Sequence, residues 1–153
     1  RLLQERAAKN GPSAKVREAL VKILRENPGS TRKLRALWAL HLTSGLDART
    51  AIANVKSPDE WVRAWTVQLV SESRENIERV LREIDEQGLT ADPDLYQMAE
   101  SDPSPVVRLY IASAAQRLPE EVRANLVRRL ERTSAKASSS AMMKSTKKWL
   151  GLL

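Results

Sequence analysis

Few residues in this chain have types and spacings that suit chemistry. His41 is its one histidine, Trp61 and Trp65 stand four apart, and acidic pairs occur at Asp59-Glu60, Asp85-Glu86 and Glu120-Glu121. A lone imidazole without partner ligands makes a poor metal or haem site. Helical spacing puts His41 seven residues after Leu34, on the face of Leu37 and Trp38. It therefore reads as a half-buried, hydrogen-bonded histidine. Acidic pairs serve acid–base catalysis only in a pocket that shifts their pKa values. At helix starts they are explained by the macrodipole, worth ~0.3–1 kcal/mol each. No phosphate loop or nucleophile elbow is present, and a Ser-His-Asp triad would have to be built around His41. With no Cys in the chain, thiol nucleophiles, Cys-ligated zinc and covalent c-type haem are excluded from these residues. The chain is read as non-catalytic, with no catalytic, cofactor or metal residues assigned.

The elements that position these residues follow from composition and periodicity. The 153 residues make one domain's worth of chain, 42% apolar, with four Trp, two Tyr and no Phe. A core drawn from Leu, Val, Ile and Ala is the palette of packed helices. No apolar run is long enough to span a bilayer. The pI near 10 is local in origin: Arg1 to Val122 carries 18 basic and 18 acidic residues, and Arg123 to Leu153 carries eight basic and one acidic. All of the excess charge sits in the last fifth.

One template recurs. "PSAKVR" at Pro12 to Arg17, "PDEWVR" at Pro58 to Arg63 and "PSPVVR" at Pro103 to Arg108 share Pro, three residues, Val and Arg, at intervals of 46 and 45. That period is the one expected of a helical solenoid. Proline suits a first helical turn, where its missing N–H would be unpaired anyway. Ser13, Asp59 and Ser104 are placed to cap, and Val16, Val62 and Val107 to open a buried stripe. Arg17, Arg63 and Arg108 are expected to pair with acidic residues or carbonyls of the next repeat. These nine Pro, Val and Arg residues are the expected repeat joints.

Breakers and apolar spacing predict helices near 1–10, 13–26, 31–44, 47–56, 59–73, 76–87, 93–101, 104–117 and 120–133, with another near 140–151. No stretch alternates with period two for long enough to predict a strand. The expected fold is all-α, about eight to ten helices in antiparallel pairs stacked as a curved α-solenoid. Residues 1–133 form the repeat domain, and 134–153 a basic Ser/Lys-rich tail with a terminal helix.

The Pro-x-x-x-Val-Arg turn resembles the HEAT-repeat (armadillo-like) family. "RKLRALWALH" (Arg32 to His41), "SPDEWVRAWTVQLV" (Ser57 to Val70) and "DPSPVVRLYIASAAQRLP" (Asp102 to Pro119) further resemble the HEAT-like helical region of planctomycete and verrucomicrobial haem-binding, membrane-bound-dehydrogenase-like proteins. The resemblance covers roughly Arg1 to Leu130 and implies a spacer between a dehydrogenase-like propeller and a cytochrome c domain. It implies an extracytoplasmic redox parent with c-type haem outside these residues, and protein domains as partners within the same chain or on another. The connection Asp85 to Tyr96 is longer than the family's, and the basic stretch after Leu130 departs from its acidic one. The start at Arg1, with no charged or apolar leader pattern, reads as a piece of a longer protein.

A different class of function is nucleic-acid binding. Basic HEAT-like arrays include alkylpurine DNA glycosylases, which use Trp beside an acidic residue, and Trp61 is the candidate surface contact of that kind. Core packing is the preferred reading for Trp65, with Trp61 partly exposed at a groove or repeat edge. In the tail, Lys144, Lys147 and Lys148 accompany Met142, Met143 and Trp149. This segment suits a cap on the array, a phosphate contact or an anionic membrane surface. The cap or a frayed helix is preferred, with the Ser138 to Ser140 run as a flexible lead-in.

Overall fold

A computed structural model of the chain describes residues 13–43, 45–90 and 94–149. Among these residues all regular structure is helical. The helices are α1 (Ala14–Glu26), α2 (Ser30–Leu42), α3 (Ala48–Val55), α4 (Glu60–Val70), α5 (Arg74–Glu86), α6 (Leu95–Ser101), α7 (Pro105–Ala115) and α8 (Glu120–Trp149). The helix expected at 1–10 and the proline Pro12 lie outside the described residues.

Local chemistry sets most of the boundaries. Ser13, Asp47, Asp59, Ser73, Asp94 and Ser104 each accept a backbone N–H of the first turn that follows, which satisfies donors a helix leaves unpaired. The template prolines Pro58 and Pro103 do not enter the first turn as expected: each stands one residue ahead of the cap, and Pro105 occupies the first turn of α7. At the end of α5, Gly88 takes φ 58° and Leu89 N–H bonds the Ile84 carbonyl at 2.9 Å, a left-handed stop that suits glycine. The stretch expected as one helix over 59–73 stops instead at Val70. There Ser71 Oγ donates back to the Val67 carbonyl at 2.6 Å, and Ser73 caps α5 two residues earlier than its predicted start. Serine hydroxyls compete with the backbone ladder, which favours a boundary over continuation.

Packing joins neighbouring helices around α4 and α7. α4 lies against both α2 and α7, and α7 meets α8; α1 pairs with α2, α3 packs on α4 and α5, and α6 packs on α7 and α8. One core cluster gathers Val67, Met98, Val107, Ile111, Ala114 and Leu126, and a second gathers Leu24, Leu37, Leu40, Leu46 and Leu69. Burying a side chain of this kind contributes roughly 1.5–3 kcal/mol.

Two expectations change. Val62 and Val107 are fully buried, but Val16 is 50% exposed. The reason is that α1 meets the second cluster through Leu20, Val21 and Leu24, one and two turns further on. The ninth expected helix also continues past 133, because α8 runs unbroken from Glu120 to Trp149. No Gly or Pro interrupts those residues, and serine inside a helix costs only a few tenths of a kcal/mol relative to alanine. The Ser138 to Ser140 run is therefore helical backbone and not a lead-in.

Candidate functional site

The spaced arginines converge on helix turns. Arg63 donates from Nε and Nη2 to the two carboxylate oxygens of Asp102, at 2.8 and 2.9 Å. Both side chains are nearly enclosed, at 11% and 6% exposure. A bidentate guanidinium–carboxylate pair is among the stronger polar contacts a protein makes. Asp102 also accepts the Ser104 N–H at 2.9 Å, so one carboxylate serves two repeats. Burial pushes the Asp102 carboxyl up, but the Arg63 hydrogen bonds, the Ser104 N–H and the nearby guanidiniums outweigh it and hold the group below the ordinary aspartate range. The Asp102 hydrogen bonds correspondingly raise Arg63 against its own burial.

Arg63 and Arg108 share a further device. Arg63 Nη1 donates to the Ser57 carbonyl at 2.8 Å, and Arg108 Nη1 donates to the Asp102 carbonyl. Each carbonyl lies six residues before its arginine, in the residue just ahead of the template proline. A second tie crosses the same two turns, with Ser104 Oγ donating to Glu60. Arg17 pairs with Asp47, a helix cap 30 residues away, and donates Nε to the Gly45 carbonyl at 3.2 Å; the residue ahead of its template proline lies outside the described ones. Asp47 is held low despite burial by its Thr50 hydrogen bonds and by Arg17. Of the three arginines expected to reach the next repeat, Arg63 does so, Arg17 grips a cap within its own repeat, and the described bond of Arg108 is to its own turn.

Aromatic side chains link α2, α4 and α7. Trp38 meets Trp65 edge-on at 5.0 Å between centroids, and Trp65 meets Tyr110 at 5.8 Å. T-shaped contacts of this kind add about 0.5–1.5 kcal/mol beyond area burial. Trp65 and Tyr110 both stand seven residues after their template prolines. Trp61 is 44% exposed, one turn before Trp65. His41 bridges to Glu72 with Nε2 to Oε2 at 2.5 Å, its side chain 15% exposed. The acidic pairs do not converge: Asp59 caps α4, Glu60 accepts from Ser104, and Asp85, Glu86, Glu120 and Glu121 are exposed. Among the described residues no three acidic or imidazole groups cluster as metal ligands would.

Three features carried no recognised signal in the sequence. Glu83 Oε2 accepts the Ala48 N–H at 2.7 Å, and Arg79 donates to the Leu46 carbonyl at 3.1 Å, so α5 is pinned to the start of α3. Arg129 stacks over the Tyr96 ring at 5.1 Å and pairs with Glu100 at 2.8 Å, fixing α8 on α6. An apolar cleft of about 590 Å³ opens beside α5, lined by residues of α3, α4 and α6 and of the start of α8. The alternating charge of α5 looks like a solvated helix until its partners are seen. Lys144, Lys147 and Lys148 fall on α8, with their side chains outside the described ones. No family model, curated protein or solved structure matches the chain.

Proposed function

We propose that the chain is a non-catalytic HEAT-like scaffold, an α-solenoid segment that holds protein domains at a set separation. The observation that carries this reading is the lock between successive proline turns, Arg63 with Asp102 and Ser104 with Glu60. A buried ion pair spent on aligning two turns stiffens an array, as a spacer requires, and leaves the same groups unfit for turnover. The resemblance of Arg32 to His41, Ser57 to Val70 and Asp102 to Pro119 supports a more specific context. In that context the chain is the helical spacer of an extracytoplasmic, haem-binding dehydrogenase-like parent, with haem and substrate in the neighbouring domains. The coding sequence on either side tests it. An upstream propeller and a downstream Cys-x-x-Cys-His support the redox parent, and their absence removes it.

The second reading, nucleic-acid binding through a basic surface, is favoured by α8. The residues from Arg123 onward carry eight basic and one acidic side chain, and a single helix presents most of that length. Phosphate contacts by such a helix would weaken steeply with salt. Duplex DNA binding is to be titrated with salt, with and without residues 134–153. Tight binding that survives removal of that segment defeats the scaffold, and loss of all binding with it confines the contact to α8.

A further inference from the structure

We infer that the cleft beside α5 is a binding site for an amphiphile with an aliphatic tail and a single anionic head. Its volume of about 590 Å³ falls within the ~300–1,000 Å³ of small-ligand sites. Branched aliphatic side chains form the walls, among them Ile52 and Val55 of α3, Val67 and Val70 of α4, and Ile77 and Leu81 of α5. Tyr96 is the one aromatic ring in the lining, so the shape suits a flexible alkyl chain better than a planar ring.

The cleft is held open by its frame. Glu83 and Arg79 pin α5 to the start of α3, and α5 also packs on α4. Ile77, Leu81 and Ile84 of α5 face Leu95 and Met98 of α6 across the cleft, and Leu81 remains 56% exposed although it lines it. An apolar side chain turned into a concave, water-filled space gains when an alkyl chain displaces that water.

The rim supplies the charge. Arg74 is already paired with Glu78 at 2.9 Å, and Asp94 is engaged as the cap of α6, accepting the Gln97 N–H at 2.8 Å. Arg117 differs. Among the described residues its guanidinium makes one hydrogen bond, a 3.4 Å contact to the Ser113 carbonyl. Arg117 is exposed and lines the same cleft as Leu118 and Pro119. A carboxylate or phosphate head fits that group, and the tail then enters between α5 and α6.

Titrating the full chain with cis-parinaric acid below its micelle concentration tests this, with the methyl ester as a headless control. Saturable binding of the acid is expected. Leu81→Trp, which fills the cleft from an exposed position, is expected to weaken it more than tenfold. Arg117→Glu is expected to weaken the acid about tenfold, the worth of one charge-assisted hydrogen bond, and to leave the ester unchanged. Displacement by dodecanoate or dodecyl phosphate supports the site, and the stronger competitor identifies the head. Absence of saturable binding, equal response of acid and ester to Arg117→Glu, or no effect of Leu81→Trp overturns it. Should Leu81→Trp lose helicity, Ile52→Phe fills the same space from the opposite wall, and the exposed Arg117 still decides the head.

Discussion

Arg63 on α4 holds both carboxylate oxygens of Asp102, 39 residues further along the chain, through Nε at 2.8 Å and Nη2 at 2.9 Å. Asp102 lies in the turn between α6 and α7, and its backbone carbonyl takes the guanidinium of Arg108. Two template arginines from successive turns thus meet at one aspartate. The pair sits where α4 and α7 pack, so it fixes their register as well as their contact.

Asp102→Ala is expected to lower stability by roughly 3–5 kcal/mol, because it leaves a guanidinium enclosed without its counter-charge. Arg63→Ala should cost a similar amount. The double variant should cost clearly less than the two losses added, since the second change then removes a group that has already lost its partner. Urea unfolding of the four proteins checks this, and simple additivity would mean that the two groups act separately.

Acid should destabilise the protein through the same carboxylates. Asp47 and Asp102 are held below their unfolded values. At pH between the folded and unfolded values the unfolded chain binds more protons, so stability rises with pH there. The contribution is complete above the ordinary aspartate value of ~3.9 and is lost as pH falls through the lower folded values. Asp102→Asn should flatten this acid limb while lowering stability at neutral pH, as read from thermal melts across pH 2 to 7. An unchanged limb in that variant would assign the acid sensitivity to other groups.

The three template valines should differ sharply. Val62 and Val107 have no exposed surface, whereas half of Val16 is in solvent. Val62→Asp or Val107→Asp buries a carboxylate among apolar atoms and is expected to unfold the chain cooperatively. Val16→Asp should stay within about 0.5 kcal/mol, as surface changes do. Circular dichroism melts separate the two outcomes.

The far half of α8 should be separable from the body. The last described hydrogen bond from α8 to another helix is from Thr133 to the carbonyls of Ala99 and Glu100. Ser138→Pro removes a helical hydrogen bond and costs ~3 kcal/mol within a helix. It should lower far-UV helicity while the melting temperature of the core is unchanged. A matching fall in melting temperature would mean that residues beyond 138 pack on the body.

Legibility in the sequence followed the range of the interaction. Asp59 and Val62 announce a helix start because a short acceptor and a first buried contact act within one turn, with Pro58 just ahead of the cap. The same local rule located Ser13 and Ser104. Val16 shows its limit: its template matched, but burial depends on what another helix brings to it. Arg17 and Arg108 show the same limit for charge, since identical templates led one to a distant cap and the other to its own turn. The α5 cleft left no trace in the sequence because it is a gap between walls far apart along the chain. Its frame, Glu83 on Ala48 and Arg79 on Leu46, spans more than thirty residues.

By itself the sequence determined the helical class, most helix boundaries, the caps Ser13, Asp59 and Ser104, and the confinement of excess positive charge to the residues after Val122. Each is set by neighbours within a turn or by simple addition along the chain. Only the tertiary structure decided which carboxylate each arginine grips, which valines are buried, and where helices stand apart. Those outcomes depend on distances between helices, which no stretch of residues encodes alone.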